Sequence, residues 1–347
     1  MPPEPTAHPT LEDIETAALR IGSMVSRTPL VESPVLSGGG SEVLLKLETV
    51  HPTGSFKIRG AASRILALDE VARQRGVVTA STGNHGRAVA HVARRLGVPA
   101  TVCVSEGVPA GKVAALESMG CELVLAGASQ SEALVNARRL ATDEGMTLVH
   151  PFDDFHVIAG QGTIGLELVE ASPRVRNVLV PLSGGGLAAG VAIAVKSHDP
   201  TIRVIGVSMK RAPVMAASLD RGEPVELAEK PTLADSLQGG IGLDNRHTFH
   251  IVRDLLDDVV LVDEPDIWAG MRFALQDHRL VLEGGAAVGI GALLAGYVEV
   301  RGRTVVVCTG SNIEAHHLAE LAGELVLDVR PGRSPLDTTG KGDARSR

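Results

Sequence analysis

The chain has 347 residues, enough for two α/β lobes, and is 44% hydrophobic yet only 2% aromatic, so its core must be built from Ala, Val, Leu and Ile. A formal net charge of -8, with no long basic run, argues against nucleic acid as a main partner. Three scattered cysteines (Cys103, Cys121, Cys308), no signal-like start and no apolar run of about 18 residues argue against a disulfide framework, a Cys-rich zinc site and a membrane span. The expectation is a soluble, cytoplasmic protein.

Residues 1–9 are Pro-rich and the segment 330–347 is polar, so both ends are expected to be disordered. Between them strands and helices alternate. Strands are predicted over 41–48, 76–81, 99–106 and 121–127, and helices over 55–68, 85–97, 112–120 and 131–145. Residues 76 to about 151 therefore read as a β-α-β-α-β-α-β unit, the pattern of a small parallel-sheet lobe. The second half repeats this grammar. Helices are predicted over 157–171, 187–198, 267–278 and 286–296, and strands over 175–183, 202–209, 257–264 and 303–310. The fold class expected is α/β, with two lobes of parallel or mixed sheet and a cleft between them.

Four stretches carry chemistry. In TGSFKIRGA (53–61), Lys57 lies between Phe56 and Ile58 near a helix start. A desolvated amine there could lose its proton near neutral pH and form a Schiff base, but taken alone the motif fits an ordinary lysine on an amphipathic helix better. In ASTGNHGRA (80–88), Ser81, Thr82, Gly83 and Asn84 form a strand-to-helix turn that can hold a carboxylate, or can simply cap the helix. His85 is expected to be structural.

In LSGGGLAAG (182–190), successive glycines ahead of a helix suit a phosphate. Gly184, Gly186 and Ala189 also fit the dinucleotide pattern G-x-G-x-x-A. That reading wants an acidic residue after the next strand, which instead ends in Val207, Ser208, Met209 and Lys210, so a lone phosphate is favoured. Finally, CTGSN (308–312) puts a hydroxyl at a strand's carboxyl end, where it can meet a ring nitrogen or merely form a turn.

Together with VIAGQGTIGLE and LEGGAAVG, these motifs resemble, in this order, the fold-type II (tryptophan synthase β-like) pyridoxal phosphate enzymes, specifically the serine/threonine dehydratase group that includes serine racemase. The similarity covers roughly residues 10 to 325. STGNHGRA, LSGGGLAAG and the stretch 231–249 look closest to the hydroxyectoine-utilisation dehydratases. The resemblance implies a large cofactor-binding domain (10–67 and 153–329), a small domain (68–152), a homodimer, and a small amino acid as substrate. It implies that Lys57 binds the cofactor covalently and moves the α-proton, that Phe56 packs by the ring, and that Asn84 binds the phenolic oxygen. Gly184, Gly185, Gly186 and Leu187 would bind the phosphate, Thr309 would face the pyridine nitrogen, and Glu283 would shape the cofactor cleft. Ser81, Thr82, Gly83 and His85 would surround the substrate carboxylate.

The implied reaction is loss of water and then ammonia from a β-hydroxy amino acid, giving a 2-oxo acid. Racemisation or β-replacement on the same cofactor is the alternative, and a non-catalytic amino-acid-binding protein is the rival from another class. Thr82 stands where racemases of the group carry Ser, so a reprotonating hydroxyl remains. Ser208 stands where several relatives carry a metal-binding Glu, so no such metal site is expected. Glu167 is expected to be a solvated or paired structural charge, and His247, His250, His316 and His317 to be surface residues.

Overall fold

The computed structural model describes residues 7–108, 110–127 and 129–328; the disorder expected for 330–347 and for the 1–6 part of 1–9 lies outside them, whereas residues 7–9 are placed, Pro9 buried and the His8 ring against His247. Ten strands occur among these residues: β1 (Leu30–Glu32), β2 (Glu42–Leu47), β3 (Val77–Ala80), β4 (Ala100–Val104), β5 (Glu122–Leu125), β6 (Thr147–Leu148), β7 (Val175–Pro181), β8 (Arg203–Met209), β9 (Asp258–Val262) and β10 (Arg303–Cys308). The helices that matter below are α1 (Leu11–Ile21), α2 (Lys57–Leu66), α3 (Asn84–Leu96), α4 (Gln130–Asp143), α5 (Phe155–Ala171), α6 (Gly186–His198), α7 (Thr248–Leu255) and α8 (Gly284–Leu294). Residues to Asn312 form one compact unit; a second begins at Ile313 and contains the helix Ala315–Asp328, on which His316 is exposed.

β3 to β6 build a four-stranded sheet in the order β5-β4-β3-β6, parallel throughout. The other six strands form a sheet in the order β1-β2-β10-β7-β8-β9, parallel except for the antiparallel edge pair β1–β2. Its central strands are buried on both faces, as their unbroken Val/Leu/Ile runs require. α5 and α6 cover one face, contributing Ile158, Ile164, Leu168, Ala188, Val191 and Val195 to the core. Each such Val, Leu or Ile contributes about 1.5–3 kcal/mol when taken out of water. No helix among the described residues is long and apolar enough to cross a membrane.

α2 positions the candidate lysine. Ile58, Ala61, Ala62 and Ile65 recur at helical spacing, are fully buried, and pack against Ala88, Val89, Val92 and Ala93 of α3. Its other side is anchored by charge. Arg59 grips Glu48 through Nε and Nη2 (2.7 and 2.9 Å) and Glu167 through Nη1 and Nη2 (2.6 and 3.0 Å). Lys46 donates to Glu167 and to the Thr28 carbonyl, Thr28 Oγ1 donates to Glu48, and His51 closes the group at 3.1 Å from Glu48. All of these side chains are buried. Burial opposes ionisation of both carboxylates, yet Arg59 holds each below its ordinary range. Glu167 is thus a paired charge in the interior, not a solvated one.

A correction concerns His247, expected at the surface but buried at the start of α7. The Asp153 carboxylate, from 93 to 95 positions away, accepts the N–H groups of Arg246, His247 and Thr248 at 2.7, 2.9 and 2.9 Å. Such an anion at a helix N-terminus satisfies donors the helix itself cannot. It draws His247 inward, where its ring meets His8 edge-on. His250 is half-buried.

Candidate active site

The four chemistry-bearing motifs lie at carboxyl ends of parallel strands or pair onto them. Ser81 to Asn84 follow β3, Gly184 to Gly186 follow β7, and Thr309 follows β10, the end of α/β sheets where ligands bind. The lysine loop is fastened to the last of these. The Phe56 N–H donates to the Thr309 carbonyl at 3.0 Å, and Ser55 bridges Gly310. Lys57 Nζ donates to the Pro151 carbonyl at 2.7 Å and lies 5.2 Å from the centre of the Phe56 ring. Lys57 is half-buried; desolvation pulls its amine down to about 8, and the Glu283 charge opposes that fall.

The glycine loop meets the lysine through the next residue. A side chain on Gly184 would run into the Phe152 ring, and one on Gly186 into the Phe152 carbonyl, at 2.7 Å. Gly185 has φ +88° and would strike Met215 and Thr248. The missing side chains are therefore required by the protein's own packing as well as by any phosphate. Among the described residues, no hydrogen bond takes up the N–H groups of Gly184, Gly185, Gly186 or Leu187, while Ala189 already bonds Gly185. These donors at the mouth of α6 are what an anion needs.

Asn84 and Glu283 come together directly. Asn84 Nδ2 donates to Glu283 Oε1 at 2.7 Å, and Asn84 Oδ1 accepts from Asn312 Nδ2 at 2.6 Å. Glu283 is buried against Gly310, its backbone N–H bonded to the Gly310 carbonyl. Burial, and then the charge of Asp235, push its carboxyl up to about 7, against hydrogen bonds from Asn84 and Ser236. His85 is buried and bonds the Val149 carbonyl through Nε2, while its Nδ1 has no partner among the described residues. Burial, then Lys57, lower its pKa to about 3, so it is neutral and structurally held. Ser81 Oγ accepts the Gly83 N–H at 3.3 Å, and Ser81, Thr82 and Gly83 are half-buried around it. Thr309 is buried, and no hydrogen bond engages its hydroxyl among the described residues.

Two participants were missed in the sequence. Asn312 was quoted only as the end of CTGSN, yet it orients Asn84 and ties it to the Thr53 carbonyl. Pro151 was only part of the HPFDDFH stretch; a proline before a loop residue gives no hint that its carbonyl receives the lysine. Ser208 is buried, its hydroxyl 3.7 Å from Met209 Sδ.

A half-buried amine with a pKa of about 8, a row of free N–H groups and a fixed carboxamide form a donor set suited to a phosphorylated carbonyl compound. The family model described as pyridoxal-phosphate dependent enzyme matches residues 21–310. The chain belongs to this pyridoxal-phosphate dependent enzyme family. Within the family it is 52% identical over 307 residues to a Sinorhizobium fredii protein named provisionally as a threonine dehydratase (88% of this chain, 92% of the other). It is 43% identical over 326 residues to the L-threonine ammonia-lyase of Thermotoga maritima (93% and 80%). Maize serine racemase shares its fold at a TM-score of 0.85 and 32% identity, covering 93% of this chain and 99% of that one. The family's cofactor, pyridoxal phosphate, fits the observed donors: Lys57 for its carbonyl carbon and the loop 184–187 for its phosphate.

One pH effect follows at once. Glu283 binds its proton more tightly folded (about 7) than unfolded (4.5), so its ionisation lowers stability as pH rises between those values. Glu283→Gln should therefore gain on the wild type from pH 4.5 to 7 and hold that gain above. Urea unfolding at pH 5 and pH 8 measures it; equal differences at the two pH values would refute the assignment.

Proposed function

We propose that the protein is a pyridoxal-phosphate-dependent ammonia-lyase that removes water and then ammonia from a small β-hydroxy amino acid such as threonine or serine. One observation carries the reading: a Lys57 amine held near neutrality on Pro151, the residue before the Phe152 that packs on the glycine loop. The chemistry that bound pyridoxal phosphate supplies is a carbonyl for the amine and an electron-poor ring that acidifies the substrate's α-hydrogen. Lys57 Nζ, being able to exchange a proton near pH 8, takes the α-proton. The N–H groups of Gly184 to Leu187 would hold the phosphate, Asn84 Nδ2 has a second hydrogen that would serve the phenolic oxygen, and the Thr309 hydroxyl would serve the ring nitrogen. A neutral hydroxyl there does not stabilise a ring positive charge, which favours expulsion of the β-hydroxyl over transamination. Ser81, Thr82 and Gly83 would receive the substrate carboxylate, with His85 held on the Val149 carbonyl beside them. The released enamine hydrolyses to a 2-oxo acid and ammonia.

The names of the relatives support threonine as the first substrate to try. Incubated with threonine or serine and no added nucleophile, the holoenzyme should release ammonia and 2-oxo acid in equal amounts. Racemised amino acid without ammonia would favour the alternative instead, with Thr82 delivering the proton to the second face. A hydroxyectoine-derived hydroxy amino acid belongs in the same panel. We also infer a cytoplasmic homodimer, which analytical ultracentrifugation of the purified chain tests.

A further inference from the structure

His150 is a neutral imidazole of fixed tautomer standing next to the reactive lysine, and the chemistry above does not use it. Its Nδ1 accepts the Asp153 N–H at 2.9 Å and the Phe152 N–H at 3.4 Å. An acceptor at Nδ1 leaves the ring proton on Nε2. Burial, the largest influence, lowers its pKa to about 4; Arg138 and Lys57 reinforce the fall, while Asp153 and Asp244 oppose it. The ring meets Phe152 edge-on, with centroids 4.7 Å apart, which fixes its plane. No hydrogen bond among the described residues uses Nε2.

The support behind the ring is unusually complete. Asp153, whose N–H orients the imidazole, is itself locked by three N–H groups at the start of α7. The carbonyl between His150 and Phe152, that of Pro151, holds Lys57 Nζ at 2.7 Å. His150 directly precedes the proline whose carbonyl receives Lys57, and the lysine's charge is felt at the ring.

We propose that His150 is a specificity residue whose Nε2–H hydrogen-bonds the oxygen carried on the substrate's β-carbon. This rests on the ammonia-lyase reading only for the choice of substrate class. A neutral imidazole N–H is far too weak an acid to protonate a leaving hydroxyl, so its part is recognition and orientation.

The test uses the holoenzyme and two amino acids that cannot lose an α-proton: α-methylserine, which carries the β-oxygen, and 2-aminoisobutyrate, which lacks it. Titrated by visible absorbance, the wild type should bind α-methylserine about 10-fold more tightly, the worth of one hydrogen bond of about 1.4 kcal/mol. His150→Leu should bring the ratio near one while leaving 2-aminoisobutyrate affinity unchanged. His150→Gln, which can place a nitrogen near Nε2, should keep part of the preference. A ratio near one in the wild type, an unchanged ratio in His150→Leu, or equal loss of both ligands overturns the proposal. Should His150→Leu fail to fold, the 15N resonance of His150 Nε2 in the wild type decides. It should move with α-methylserine only, and movement with both ligands or neither overturns the assignment. A wild type that discriminates between the ligands yet eliminates nothing from threonine or serine would sink the proposed reaction and leave this inference standing.

Discussion

Replacing Lys57 with alanine is expected to abolish both the visible absorption of the lysine-bound cofactor and the release of ammonia from threonine, the latter by on the order of 10⁴-fold or more. The side chain has two duties in the proposed chemistry, holding the cofactor and moving a proton, and no neighbour can assume either. His85 and His150, the titratable groups whose pKa values Lys57 depresses, are held neutral by burial at about 3 and about 4. Glu283 is committed to Asn84. The fold should survive, because α2 is anchored by Ile58, Arg59, Ala61, Ala62 and Ile65 and not by the lysine. Circular dichroism unchanged from wild type, with colour and activity gone, is the expected result. A Lys57→Ala protein that keeps wild-type turnover would remove the basis of the functional proposal.

Arg59→Leu should produce the largest loss of stability, about 3–5 kcal/mol, because breaking a buried ion pair strands the partners without water. Glu48 has 0% of its surface exposed and would keep only Thr28 Oγ1 and His51 as partners; Glu167 would keep Lys46. The effect should be coupled: adding Glu48→Gln to Arg59→Leu should restore part of the loss, since one stranded charge disappears. Chemical denaturation of the single and double variants measures this. Strict additivity, or a single-variant loss below about 1 kcal/mol of the kind seen for solvated pairs, would show the network to be dispensable. Because Arg59 lies two positions beyond Lys57, loss of the network should also weaken cofactor retention.

The sheets were legible in the sequence because parallel strands buried on both faces leave unbroken apolar runs. VRNVLVPLS and RTVVVCTG end within two residues of β7 and β10. β1 was not legible: three residues, half-buried or exposed, carry no periodicity. α1 could have been found, for Thr10 and Asp13 form a capping box just ahead of its apolar stripe. The glycine loop and Lys57 could be singled out locally, but each kept a plain alternative that only the ordered set of motifs weighed against. What the sequence could not convey was pairing across distance. Lys46 and Glu167 are 121 positions apart, and Asp153 and His247 are 94 apart. Each, taken alone, is an ordinary polar residue that belongs at a surface. The raised pKa of Glu283 was hidden for the same reason, since it depends on burial against Gly310 and on the Asp235 charge.

The order of strands has a consequence for biosynthesis. β2 leads into the lysine loop, and its neighbour on the sheet's inner side is β10, so Glu42 pairs with Arg303, 261 positions later. At about 5–20 residues per second, a ribosome needs roughly 15–50 s to deliver the second strand after the first. Throughout that interval the nascent chain has its amine but nothing for Ser55 and Phe56 to fasten onto. Capture of the vitamin B6 coenzyme is therefore expected only once β10 has been made, and a polypeptide truncated before β10 should acquire no colour.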